Sequence, residues 1–282
     1  MPGTRIFALT CLAMLAFAAN SLLTRAALLG TAIDAASFAS IRIVSGALAL
    51  LFIVALRSRA KVGVQGSWLS ALALFAYAFC FSFAYVGLAT GTGALLLFGA
   101  VQMTMIGWGL WKGERFTSGQ WAGLLLALGG LVALLMPGLT APPLSYAALM
   151  LAAGVAWGVY SIRGKGAENP LAVTAGNFIR AVAPSLLLCA ALLSHASIDA
   201  AGAGYAVGSG ALTSGMGYVI WYAALRGLSA TVGATVQLSV PVIAALGGIA
   251  LLGEPLTLRL ALASLVILGG IALVITGVRA RR

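Results

Sequence analysis

The ionisable and polar side chains of this chain are few, and their positions decide what chemistry is open to it. Its acidic residues are Asp34, Glu114, Glu168, Asp199 and Glu254, and all five fall near the ends of apolar runs or between them, as does the single histidine, His195. No HExxH or GxSxG pattern is present, so neither a metal hydrolase nor a nucleophile with its base is spelled out. No catalytic residue, metal site or enzyme activity is expected, and no cofactor is called for. What the apolar runs do hold is amides and aromatic rings at helical spacing, groups that bind rather than react. Tyr77, Phe81 and Tyr85 follow at intervals of four and make one stripe, while Tyr218, Trp221 and Tyr222 crowd a second. Phe98 shares a face with Gln102 and Met105, and Asn20 follows Phe17 by about one turn. Trp157 and Tyr160 lie beside Gly154 and Gly158, a Gly-x-x-x-Gly pair that permits close helix approach.

The candidate cavity residues are therefore Asn20, Tyr77, Phe81, Phe98, Gln102, Trp157, Tyr160, Tyr218, Trp221 and Gln237. An amide in hydrocarbon is costly without a partner or a wet cavity, which turns Asn20 toward the bundle interior. Plainer readings stand beside these: an interhelical hydrogen bond for Asn20, core or interfacial packing for the aromatic stripes, and a lipid-facing place for Trp157. Pro241, one turn beyond Gln237, is the candidate hinge, or else a static kink. Arg42 and Arg180 stand inside apolar runs, where an arginine costs about 2.5 to 3.5 kcal/mol. Snorkelling or pairing with carbonyls accounts for both, and attraction of a substrate carboxylate is the other reading.

The elements that must position these side chains are membrane helices. Hydrophobic residues are 62% of 282 positions and charged residues 7%, with a mean hydropathy of +1.10. Apolar runs of the length that spans a bilayer fill most of the chain. Hydropathy and breaker residues predict ten helices over 6–29, 35–56, 67–89, 93–111, 118–136, 145–162, 171–193, 203–225, 231–251 and 257–278. The N-terminal run is read as the first span and not as a cleaved signal. Cys11, Cys80 and Cys189 lie in apolar runs without metal-type spacing and read as small packing residues. The basic excess, 16 Lys and Arg against 5 Asp and Glu, sits mostly in short connections and reads as a topology signal instead of a nucleic-acid surface. With the N-terminus in the cytoplasm, the inner side collects Arg5, Arg57, Arg59, Lys61, Lys112, Arg115, Arg163, Lys165, Arg226, Arg279, Arg281 and Arg282. The outer side keeps Arg25, Arg42, Arg180 and Arg259. Both termini are accordingly expected in the cytoplasm.

The chain is also written twice. The stretch Gly93 to Met136 returns from Gly233 to Thr276 at an offset of 140, with identical residues at Gly93, Ala94, Gly107, Gly113, Glu114, Thr117, Leu125, Leu128, Gly129 and Gly130. Each copy is an apolar run, a Gly-Glu-x-x-Thr connection and a second apolar run, hence a helical hairpin. Gly113 and Gly253 suit the end of one helix and Thr117 the start of the next, where Gln120 completes a capping box in the first copy only. The repeated glutamate reads as a cap or interfacial charge, or as a gating or coupling group. Further back, at an offset of 138, Arg25 meets Arg163 and Arg42 meets Arg180. Two five-span halves, 1–138 and 139–282, must lie in the membrane upside down relative to each other, because five is odd. Inverted repeats of this kind build secondary transporters.

The ten spans in two fives, the Gly-Glu-x-x-Thr hairpins at Gly113 to Thr117 and Gly253 to Thr257, and the trailing Gly129, Gly130, Gly269 and Gly270 resemble the EamA branch of the drug/metabolite transporter (DMT) superfamily. Within that branch the chain looks most like the YddG-type bacterial amino-acid exporters. The resemblance implies an all-α polytopic membrane protein with spans one, three, four, six, eight and nine around a central cavity. Spans five and ten lie outside it, and spans two and seven are peripheral. It also implies export of small metabolites, amino acids among them, across the bacterial inner membrane without ATP or a cofactor, and it favours aromatics at Trp157, Tyr77 and Phe81. Aromatic walls with uncharged amides suit neutral and aromatic amino acids over a broad range. Drugs, nucleotide sugars and other metabolites remain alternatives, and a membrane scaffold or receptor is the alternative of another class. With no carboxylate in mid-membrane, gradient-driven movement or exchange is expected rather than tight proton coupling. The expected partners are the substrate and membrane lipid, not nucleic acid, and a monomer suffices.

Overall fold

The computed structural model describes residues 3–57, 65–113, 115–138, 141–164, 167–225, 227–228, 233 and 236–277, with the backbone alone at 3, 57, 276 and 277. Seven helices come first: α1 (Gly3–Gly30), α2 (Ala35–Arg57), α3 (Trp68–Gly87), α4 (Thr90–Trp111), α5 (Ser118–Leu135), α6 (Leu144–Gly164) and α7 (Pro170–Ala191). A short turn leads to α8 (Ala200–Val207), which continues unbroken into a π-helix (Gly208–Met216) and then α9 (Gly217–Leu225). Helices α10 (Ser239–Leu252) and α11 (Leu258–Gly277) follow. The described residues contain no strand. Eight of these helices are long and apolar enough to cross a membrane. The α8–π–α9 run, of 8, 9 and 9 residues, is of similar length, and α10 is a shorter apolar helix. The chain is a multi-pass, all-helical membrane protein.

Local chemistry sets the helix ends. Ser67, Asn169 and Asp199 cap α3, α7 and α8 through their side chains, and Asp34 accepts the Ala36 and Ser37 amides at the start of α2. The capping box expected at α5 is present: the Thr117 hydroxyl takes the Gln120 amide and the Gln120 side chain takes the Thr117 amide. Gly113 and Gly253 have φ of +91° and +66°, the left-handed backbone that ends the first helix of each hairpin. The doubled glycines divide their work. Gly130 and Gly270 face the α5–α11 contact, where a Cβ would lie 2.8 Å from Ile267 and 2.5 Å from the Gly123 carbonyl, whereas Gly129 and Gly269 have open space.

Two departures from the expected spans concern the second half. The eighth is not a plain α-helix, since its middle is π-helical. The ninth, expected over 231–251, carries a turn at Leu238 between helical Val236 and Gln237 and the α-helix from Ser239, while 231, 232, 234 and 235 lie outside the described residues. Proline explains the second. Pro241 has no amide to give the Gln237 carbonyl, and it is tolerated because it falls in the first turn of α10, where that amide would have no partner within the helix.

Helix packing has a counterpart in each half. Helix α1 lies along the α8–π–α9 run as α3 lies along α6, and α10 packs on α1 as α4 packs on α6. Helices α5 and α11 pair with each other, as do α2 and α7. The main core cluster takes residues from α1 to α7 and from α9, α10 and α11.

Candidate functional site

Seven aromatic rings from four helices meet at the centre of the bundle. Trp157 of α6 is the hub: Tyr77 of α3 lies 4.9 Å from it, Tyr218 of α9 4.8 Å, Tyr160 5.5 Å in a stacked pair, and Phe17 of α1 6.3 Å edge-on. Phe81 extends the group from Tyr77 at 5.3 Å, and Trp221 meets Phe17 at 5.8 Å. The glycines beside Trp157 explain how it reaches the centre. A Cβ on Gly154 would sit 2.6 Å from the Leu97 carbonyl, and one on Gly158 2.8 Å from Thr104, so α6 is pressed onto α4. Trp157 is 8% exposed and does not face lipid.

These rings close around a void of about 20 Å³, room for about one water. Phe17, Tyr77, Phe81, Phe98, Trp157 and Tyr218 wall it together with Leu97, while Asn20, Ser21 and Thr213 give it a polar edge. Asn20 ties that edge together. Its Nδ2 donates to the Tyr77 hydroxyl at 3.2 Å, and its Oδ1 accepts from Ser209 at 2.7 Å and Thr213 at 3.2 Å. Both hydroxyls come from the π-helix.

Behind Tyr77 lies a buried cation. Arg42 is 2% exposed; its Nη2 donates to the Tyr77 hydroxyl at 3.0 Å and its Nε to Ser214 at 3.2 Å. Its guanidinium carbon stands 5.0 Å from the Tyr77 and Phe81 ring centroids. It does not snorkel, and α2 is not merely peripheral. Gly210 makes this possible, because a Cβ there would lie only 2.1 Å from the Arg42 carbonyl and the Ser45 hydroxyl. Arg180, its match in the repeat, behaves as expected and donates to the carbonyls of Gln65 and Gly176.

Of the ten candidate residues, Asn20, Tyr77, Phe81, Phe98, Trp157 and Tyr218 line the void. Tyr160 and Trp221 back it, through Trp157 and Phe17. Gln102 is buried one turn beyond Phe98, its Nε2 unpartnered among the described residues, and Gln237 is half-buried outside the lining. Pro241, buried in α10, sits three residues past the turn that interrupts the span. Arg42 was singled out in the sequence but not placed at the cavity, and Ser21, Leu97, Ser209, Thr213 and Ser214 were not among the candidates. The signal for three of them was the run Gly208 to Met216, unusually rich in glycine and hydroxyls for a span.

One end of the bundle is tied by charge. Arg25 of α1 donates to Glu254 at 3.2 Å and to the Tyr85 and Val86 carbonyls at the end of α3. The other oxygen of Glu254 accepts the Thr90 amide at 2.8 Å, at the start of α4, whose preceding residue supplies no side-chain cap. Glu254 thus caps a helix of the other half. Arg163, the repeat match of Arg25, reaches the opposite end of α3 through Ser70 at 3.0 Å and Ser67 at 3.3 Å. Glu114, Arg59, Lys61, Lys165, Arg226, Arg279, Arg281 and Arg282 lie outside the described residues. No cluster of metal-ligating side chains occurs among the described residues.

Residues 144–276 match the profile of the EamA-like transporter family. A Pseudomonas aeruginosa protein, itself uncharacterized, is 58% identical over 275 residues, which cover 98% of this chain and 96% of that one. A solved crystal structure superposes with a TM-score of 0.67 at 20% identity, covering 96% of this chain and 97% of that one, and so shares the fold.

Proposed function

Because residues 144–276 form an EamA-like transporter domain, of a family of membrane transporters of small molecules, we propose that the chain is a secondary carrier exporting amino acids, neutral and aromatic ones above all, by alternating access. The observation that carries this reading is the central void, walled by aromatic rings and edged by Asn20, Ser21 and Thr213, where α1, α3, α4, α6 and the α8–π–α9 run meet. Such a site offers flat apolar walls to a side chain and a few polar groups to a head.

The halves 1–138 and 139–282 act as inverted repeats. Support comes from their matched packing, and from Arg25 and Arg163 holding opposite ends of α3. At about 20 Å³ the void holds no amino acid, so loading requires the rings to part. The interrupted span around Leu238 and Pro241 is where the second half bends, and the Arg25–Glu254 pair must open at its end of the bundle. No carboxylate lines the void, which favours downhill movement or exchange over proton coupling. The carrier sits in a bacterial inner membrane with both termini cytoplasmic, and it works as a monomer without ATP.

Counterflow in proteoliposomes tests this. Labelled phenylalanine taken up against unlabelled phenylalanine should saturate, compete with several neutral amino acids, run at equal pH on both sides, and fall several-fold in Trp157→Ala. Competition by drugs or nucleotide sugars and by no amino acid would move the substrate to those classes, and flux that appears only with a pH gradient would overturn the coupling.

A further inference from the structure

Arg42 is a charge that its surroundings do not balance. A guanidinium stays protonated at any physiological pH and presents five N–H donors. Here Nε and Nη2 each meet a neutral hydroxyl, two ring faces lie at 5.0 Å, and Nη1 has no partner among the described residues. Among the described residues no acidic side chain pairs with it, and Glu168 is exposed. Asp34 spends its oxygens on the amides of Ala36, Ser37 and Ser197, Glu254 holds Arg25 and the Thr90 amide, and Asp199 caps α8. As a brace between helices this arrangement is poor, because a neutral side chain of similar size makes the same contacts without a buried uncompensated charge.

The surroundings point to what balances it. Tyr77 and Phe81, whose rings lie against the guanidinium, both line the void, and the Tyr77 hydroxyl is shared by Arg42 and Asn20. The Tyr218 hydroxyl, on the same void, is also buried and unpartnered among the described residues. We infer that Arg42 is the carboxylate anchor of the substrate site: a bound carboxylate replaces the Tyr77 hydroxyl on Nη2, engages Nη1 as well, and accepts from Tyr218. The planar fork matches two carboxylate oxygens. An α-ammonium on the same molecule then lies near Asn20 Oδ1 and the faces of Tyr77 and Trp157. The ligand class is thus a carboxylate-bearing amphiphile, and it is an α-amino acid if the carrier reading, on which this rests, is right.

Binding is read by the fluorescence of the buried tryptophans in purified protein. Four probes are compared: phenylalanine, phenylalaninamide, phenethylamine and 3-phenylpropionate. Phenylalanine should bind about tenfold or more tightly than its amide or the amine, and Arg42→Gln should abolish that preference while still binding phenethylamine, which shows that the altered site is intact. Arg42→Lys, a point charge without the fork, should fall between and serves if the glutamine variant does not fold. Phenylalanine binding that is unchanged in both variants, or equal affinity for acid and amide in the wild type, overturns the anchor and leaves the carrier reading standing. Arg42-dependent binding of 3-phenylpropionate but not of phenylalanine keeps the anchor and removes the amino-acid reading. Affinity that follows chloride instead of the carboxylate makes Arg42 an inorganic-anion site and overturns the proposal, and binding of none of the four overturns both.

Discussion

Asn20 holds three elements at one point, and its replacement isolates what that is worth. In Asn20→Ala the Ser209 hydroxyl loses its acceptor inside the bundle, while Thr213 keeps the Ser209 carbonyl and Tyr77 keeps Arg42. The expected cost is about 1 to 3 kcal/mol from that stranded group, seen as a lower Tm in detergent. An unchanged Tm would show that the hydroxyl finds another acceptor. Asn20 and the aromatic stripes were legible in the sequence because an amide or a ring at fixed spacing stands out in an apolar run. Arg42 stood out too, with a substrate carboxylate as one reading, but its depth was not legible, being set by Gly210, 168 positions along the chain, whose missing side chain lets the π-helix press against α2. The serine and threonine of the site were equally quiet, since hydroxyls in helices routinely bond their own backbone, as Thr213 does to Ser209.

The hairpins show the same division between elements. That Gly253 ends one helix and Thr257 opens the next follows from residue type alone, and Leu260 does donate to the Thr257 hydroxyl. What Glu254 does between them does not, because its partners are 229 and 164 residues away. Its pair with Arg25 is largely shielded, the two side chains being 10% and 13% exposed. Removing one partner alone therefore strands a charge. Glu254→Gln should cost about 3 kcal/mol and also weaken the cap of α4, and Arg25→Met combined with it should recover most of the loss. Thermal melts of the two single variants and the double variant check this, and single variants that melt like the wild type would mean the pair is screened by solvent. The interruption before α10 was half legible: Pro241 announced a break, but a proline inside a run does not say whether the helix bends around it or restarts beneath it, and here it restarts.

Composition and hydropathy alone fixed the class of the whole molecule, since a chain this apolar has no soluble solution. Its closed centre was not legible, as a duplicated sequence specifies two similar halves but not which of their arrangements is the resting one. Ser21, which lines the void, reports on that arrangement. With the native cysteines replaced, Ser21→Cys should resist a membrane-impermeant thiol reagent at rest and react from both faces of oriented vesicles once phenylalanine is cycling. Reaction from a single face only would exclude alternating access. The long reach of the bonds made by Asn20, Arg25, Arg42 and the start of α4 bears, finally, on how the protein is made. Each spans 164 residues or more, from the first half to the second. At a translation rate of about 5 to 20 residues per second, roughly ten to thirty seconds separate the insertion of α4 from the arrival of Glu254 at the ribosomal exit. During that interval Arg25, Arg42 and Asn20 have only their first-half partners, and the start of α4 lacks the Glu254 cap. The closed centre can therefore form only after the second half has entered the membrane.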